Sequence, residues 1–434
     1  MARKMKDSGV EWIGLIPEEW NIKKVKHCFV RKNEKAEQEE PIILSLARSG
    51  VKVRDISSGE GQIAESYYNY NPVSVGDLLL NPMDLYSGAN CSVSKVEGVI
   101  SPAYMNLGAK DDNDSSYYDY YFKTQYWGMT LFAHGKGVSY DNRWTLNAET
   151  LFNYYLPVPS VYEQKKIADF LDEKVGKIDA FILRTKQSIN EYKKYKKAVI
   201  TEAVTRGIDD AILTKDSGIE WIGKIPKHWT LRKVKSYTDM ISKGTTPKDM
   251  STVKTDEYRI RYLKSENIVD SKLVLLPEFY ITDEVNDSLE RSKLSEKDIM
   301  FVIAGASIGK VAMMNSDLLP ANTNQAMAFL RIKEEYFGLS KYIWYFLQSN
   351  IVSSVIALYS VQSAQPNLSM ENLGNIRMPL STNDSEVYKI VEYLDVKCAE
   401  IDALIAKKET FVEEMETYKK SLIYEYVTGK KEVK

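Results

Sequence analysis

Histidine and cysteine are scarce in this 434-residue chain, three of each. His27, His134 and His228 are scattered, and neither an H-E-x-x-H pair nor a Cys/His ligand cluster occurs, which excludes the common zinc chemistries. Cys28, Cys91 and Cys398 lie far apart without paired spacing, the usage of a reducing cytoplasm rather than a disulfide framework. No apolar run approaches the ~20 residues of a membrane span. The opening "MARKMKDSGVEW" lacks the apolar core of a signal peptide. A soluble cytoplasmic protein is the expectation. Neither sign of charge dominates: 58 Lys+Arg face 60 Asp+Glu, a net charge of −2. A nucleic-acid surface would therefore have to be local, as in "IKKVKHCFVRK" (22–32) or "KHWTLRKVK" (227–235).

Catalytic motifs are also missing. "GASIGKV" (305–311) approximates a phosphate-binding loop, but three residues instead of four separate its glycines. Val311 also stands where that loop needs a magnesium-binding hydroxyl, so a tight turn presenting Ser307 and Lys310 is expected. No G-x-S-x-G elbow and no glycine fingerprint of a dinucleotide or methyl-donor site is found. "NPMD" (81–84) lacks the second proline and the aromatic of the amino-methyltransferase Asn-Pro-Pro-Tyr element. These residues predict a chain that binds without catalysing.

What the chain has is a long internal repeat. "DSGVEWIGLIPEEW" (7–20) returns as "DSGIEWIGKIPKHW" (216–229), and 13 of 20 positions match between 7–26 and 216–235. "VGDLLLN" (75–81) is answered by "EKDIMFV" (296–302), each a turn aspartate before an apolar strand. "LFNYYLPVPS" (151–160) pairs with "LGNIRMPLST" (373–382), and "IADFLDEKVGKIDAFI" (167–182) with "IVEYLDVKCAEIDALI" (390–405). A period above 200 residues is a duplicated domain, not a solenoid.

Each copy closes on a helix of coiled-coil spacing. Positions 171, 175, 178, 182, 185, 189, 192, 196, 199 and 203 step by four and three, as do 394 through 426. Each helix is expected to run about 40 residues, roughly 60 Å, with the other helix as its antiparallel partner. Lys196 and Lys419 fall on that seam. Within the blocks, short strands accompany one amphipathic stretch each, at 115–132 and 337–358. The fold class is thus α+β: two similar domains separated by two long antiparallel coiled-coil helices, an internal pseudo-twofold duplication. The boundaries read 1–157, first α+β domain; 158–208, central helix; 209–380, second α+β domain; 381–434, C-terminal helix. Trp12, Trp20, Trp221 and Trp229 are assigned to structure, as rings that pin the incoming chain.

The doubled "SG-x-EWIG-x-IP-x-x-W" (8–20, 217–229), the two helix signatures, "GTTP" (244–247), "SIGKVAM" (307–313) and "QPNLS" (365–369) carry a resemblance. Over essentially its whole length the chain resembles the specificity subunit of type I restriction–modification enzymes. The resemblance implies DNA binding, each block reading one half of a gapped double-stranded target while the helices set the spacing. It implies two adenine methyltransferase subunits as partners, and restriction subunits beyond them. S-adenosylmethionine, ATP and magnesium would belong to those partners, with no cofactor, metal or catalytic residue in this chain.

Asn, Gln, Arg and Lys read base edges in the major groove, and four loops have that composition: 45–54, 134–143, 321–327 and 361–367. Together with the "GTTP" and "SIGKV" turns they nominate Arg48, Arg54, Tyr140 and Arg143 in the first block. In the second they nominate Lys243, Thr245, Ser307, Lys310, Asn324, Gln325 and Gln362. Two rival readings are a coiled-coil scaffold joining two protein-binding domains and a self-contained DNA methyltransferase. The second lacks its motifs. The first would show no salt-dependent duplex binding.

Overall fold

The repeated phrase "DSG-x-EWIG" is a backbone device before it is anything else. Asp7 Oδ1 accepts from Gly9 N at 2.9 Å and Ser8 Oγ from Val10 N at 3.1 Å. In the second copy Asp216 and Ser217 do the same for Gly218 and Ile219, at 2.8 and 3.2 Å. Gly14 and Gly223, at φ 66° and 69°, then turn the chain through the left-handed region that other residues avoid. The turn folds Leu15–Pro17 back onto Met5–Asp7, and Lys224–Pro226 onto Thr214–Asp216.

The computed structural model describes residues 3–56, 64–86, 90–137, 144–209, 211–360 and 367–434. Contacts divide the chain into two units, Met1–Lys186 with Thr410–Lys434, and Gln187–Glu409.

In the first unit a four-stranded sheet is built from β1 (Phe29–Arg31), β2 (Leu78–Leu80), β3 (Cys91–Val93) and β4 (Met105–Ala109), in the order β1-β4-β2-β3. Helix α1 (Ser115–Trp127) follows, its first amides capped by the Asp114 carboxylate. The sequence suggested an amphipathic helix here. Instead Tyr117, Tyr118, Tyr120, Tyr121, Phe122 and Tyr126 are all buried, because both sides of α1 are covered. Tyr117 Oη donates to the Val427 carbonyl at 2.8 Å, and Tyr120 Oη to Asp172 at 2.7 Å. Trp20 is fully buried, with Nε1 donating to Glu163 at 2.8 Å. The long helix α2 (Val161–Arg206) begins in this unit.

The second unit repeats the plan with β5 (Thr238–Lys243), β6 (Ile299–Val302), β7 (Val311–Met313) and β8 (Met327–Ile332), ordered β5-β8-β6-β7. Helices α3 (Ser340–Gln348) and α4 (Asn350–Ser360) take the place of α1, and the last helix is α5 (Asp384–Val427). Tyr342 Oη donates to the carbonyls of Val204 and Pro379, Tyr345 Oη to Asp395 at 2.7 Å, and Trp229 Nε1 to Glu386 at 3.1 Å. The pinning role therefore holds for Trp20 and Trp229. Trp12 is half-buried, stacked on Tyr154 with centroids 5.1 Å apart. Trp221 departs from that role: its unit has Ile376 where the first has Tyr154, and the indole is 44% exposed.

The α2 and α5 helices are 46 and 44 residues long, about 69 and 66 Å at 1.5 Å per residue. Inside the first unit, Lys419 pairs with Asp179 at 2.7 Å and Lys186 with Glu416 at 3.7 Å. Inside the second, Lys196 pairs with Asp402 at 2.7 Å and Lys193 with Glu409 at 3.6 Å. Rising numbers on one helix meet falling numbers on the other, so the pairing is antiparallel in each unit. The two seam lysines are thereby satisfied by carboxylates across the seam. None of the ten stepped α2 positions is exposed. The three cysteines are free and buried, and burial pushes their thiols upward, Cys398 to about 11. Among the described residues no helix is long and apolar enough to cross a membrane.

Candidate nucleic-acid interface

The second unit gathers its polar loops at one end of its sheet. Lys243 on β5 lies opposite Ala328 on β8, Ala328 opposite Phe301 on β6, and Phe301 opposite Val311 on β7. The segments just beyond this row are Gly244–Thr246, Asn324–Ala326 and Ile303–Lys310, so Lys243, Thr245, Asn324, Gln325, Ser307 and Lys310 emerge together. Hydrogen bonds hold the loops to one another. Gly244 N donates to the Asn324 carbonyl at 3.0 Å, Thr246 Oγ1 bonds the Gln325 side chain, and Ile303 N donates to Ala326 O at 2.8 Å. A Cβ on Gly244 would sit 1.6 Å from the Thr323 carbonyl, so the glycine of "GTTP" is imposed by this close approach. Asn324 spends its side-chain oxygen on Ala326 N, 3.1 Å away, while Gln325, Lys243 and Thr245 are exposed.

Ser307 and Lys310 sit in the tight turn expected for them, closed by Ile308 N on Gly305 O at 3.1 Å and Lys310 N on Ser307 O at 3.2 Å. The next element is strand β7, not a helix, so the turn lacks the helix N-terminus a nucleotide-binding loop requires. Ala304 bridges Asn367 of "QPNLS", while Gln362 lies outside the described residues.

In the first unit Arg48 is exposed in the two-residue turn between the strands Leu44–Ala47 and Gly50–Val53. Arg54 is half-buried at the far end of the second of those strands, its amide on the Ile43 carbonyl at 2.8 Å, so the two arginines are not brought together. Tyr140 and Arg143 lie outside the described residues.

Sequence reasoning missed a cleft of about 520 Å³ in the second unit, lined by Lys193, Lys196, Lys197, Lys272 and Lys310. Asp270, Asp402 and Glu409 face it and neutralise Lys193 and Lys196. Lys197 bonds only the Ser353 hydroxyl, and burial pushes its pKa down. Lys272 and Lys310 have no carboxylate partner among the described residues. The "KKYKK" run (193–197) was the available signal, but on a helix it reads equally as a solvated face. Unpaired ammonium groups beside a polar loop end suit phosphate oxygens. Among the described residues no group of three or more His, Cys, Asp or Glu could hold a metal ion.

The family described as type I restriction modification DNA specificity domain matches residues 226–414. The EcoBI specificity subunit of a type I restriction enzyme from Escherichia coli is 25% identical over 375 residues, 82% of this chain and 74% of that one. Residues 226–414 thus carry the match to the type I restriction–modification specificity family. A putative MjaX specificity subunit from Methanocaldococcus jannaschii is 26% identical over 187 residues, 40% of this chain and 41% of that protein. A solved chain from "Structural basis underlying complex assembly and conformational transition of the type I R-M system" shares the fold. Its TM-score is 0.61 at 14% identity, covering 95% of this chain and 98% of that one. The specificity-family match spans the loop end just described and much of α5. The internal repeat extends the same architecture to the first unit.

Proposed function

We propose that this specificity subunit acts without catalysis of its own. In this reading residues 1–157 and 209–380 each read one half of a gapped duplex target, and the helical spacers 158–208 and 381–434 set the gap. The observation that carries it is the convergence of Lys243, Thr245, Asn324, Gln325, Ser307 and Lys310 at one end of one sheet, on loops tied to each other rather than to solvent. Amide and cationic side chains on a rigid edge are the equipment for base-edge and phosphate contact. Two adenine methyltransferase subunits would dock along the helices, and restriction subunits would join them. Those partners would bring the S-adenosylmethionine, ATP and magnesium chemistry.

The test is duplex binding by the complex assembled with its methyltransferase subunits across a salt series. Sequence-specific binding whose affinity falls steeply with salt supports the reading, since phosphate contacts release counterions. A complex that assembles but binds every duplex alike, or none, leaves only the scaffold.

A further inference from the structure

In the first unit, a cleft of about 410 Å³ opens beside the end of the sheet where β2 leaves and β3 begins. Its buried lining is largely apolar, made by Leu85, Cys91 and Tyr126. Two rings at its walls stay open to solvent, Tyr86 at 61% and Trp127 at 39% exposure. The polar atoms around it come from Arg48, Asn90 and Lys123. The walls are held in place: Tyr126 Oη donates to the Asn81 carbonyl at 2.8 Å, and Lys123 is fixed by Asp119 at 2.6 Å. Lys420 Nζ stands 5.8 Å from the Trp127 ring centre. Just after Trp127 the chain turns through Met129 at φ 58°, a conformation that costs a non-glycine residue energy and tends to mark functional corners.

The repeat shows which of these features the fold requires. Tyr117 and Tyr342 hold equivalent carbonyls, and Tyr120 and Tyr345 equivalent carboxylates. In that register Lys123 corresponds to Gln348, where the second unit's helix ends and Ser349 turns extended, whereas α1 runs on to Trp127. Strand pairing likewise makes Lys310 the counterpart of Asn90. The last turn of α1, which carries Trp127, therefore has no continuous counterpart in the second unit.

Shape decides what would fill such a cleft. Stacked base pairs present their edges inside a groove about 12 Å wide, which protruding elements enter. A concave, ring-walled recess with an apolar lining suits a flat heterocycle taken out of the stack, which stacking on an aromatic side chain stabilises. We propose that this cleft receives one nucleobase of the target withdrawn from the duplex, stacked against Trp127 and Tyr86. Asn90 then meets the polar edge of that base, and Arg48 and Lys123 face its phosphate. The inference rests on the DNA-reading role above.

Mismatch scanning of the first half-site with the assembled complex tests it. A mismatch weakens a contact made in the groove but lowers the cost of withdrawing a base, so it tightens binding there. The expected result is one position where a mismatch tightens binding several-fold in the wild type. Trp127→Ala abolishes that gain, Trp127→Phe keeps it, and both variants retain the wild-type response to mismatches in the second half-site. Tightening that ignores Trp127 belongs to the methyltransferase subunits and overturns the proposal. So does a half-site in which every mismatch weakens binding while motif-directed methylation persists, and the reading role then stands. A wild-type complex without any motif-specific binding removes both.

Discussion

Arg331 forks onto the buried carboxylate of Asp298, Nε to Oδ1 at 3.0 Å and Nη2 to Oδ2 at 2.7 Å. The other repeat meets the same need from a different backbone position. Lys32 reaches Asp77 at 2.7 Å by lying across Gly108, the residue that corresponds to Arg331. Ser242 occupies the position of Lys32 in the second unit. The two arrangements are alternatives, since a side chain at 108 would sit 3.0 Å from the lysine stem. Removing one partner of a buried pair leaves the other charge uncompensated, so Arg331→Ala should cost ~3 kcal/mol. Lys32→Ser should also destabilise, and adding Gly108→Arg to it should restore much of the loss. Urea unfolding of the three variants checks this.

A second prediction concerns acid. Burial alone would raise Glu386, but the Ser381 hydroxyl, His228 and the Trp229 N–H all bond it and hold its pKa below the ordinary glutamate value. The unfolded chain then binds a proton there at a pH where the folded one does not. The contribution is full above the unfolded value and lost as pH falls through the folded one. Stability measured between pH 6 and pH 3 should fall more steeply in the wild type than in Glu386→Gln.

The helices give a third. Four residues inserted into both α2 and α5 add about 6 Å to each, and duplex DNA advances about 3.4 Å per base pair. The recognised gap should lengthen by one or two base pairs with both half-sites unchanged. A methylated motif with its original gap contradicts the spacer role.

A fourth follows from the two-unit division. Replacing residues 30–150 with the equivalent segment of a relative should change one half of the target and leave the other intact. Sequencing of methylated sites reads the outcome, and a change in both halves contradicts modular reading.

Much of this was legible in the sequence because the repeat and the helical period are both redundant signals. None of the ten stepped positions of α2 is exposed, and Asp7–Gly9 and Asp216–Gly218 form the same turn twice. Local pattern was less informative where burial came from two sides, as along α1, whose tyrosines read as one face of an amphipathic helix. It was silent where chemistry depends on distant segments meeting. Gly244 and Asn324 are 80 residues apart in number yet joined by one hydrogen bond, and Lys193 to Lys197 meet Lys310 only after folding. Tyr86 and Trp127 are single aromatics in a tyrosine-rich block, and composition gives no reason to choose them over their neighbours.

The central claim is that this chain supplies the sequence specificity of its complex. The most direct measurement is a genome-wide map of adenine methylation in the host, with the gene intact and deleted. The account predicts that deletion removes one two-part, gapped motif and no other. An unchanged map, with the partner subunits expressed, would contradict it.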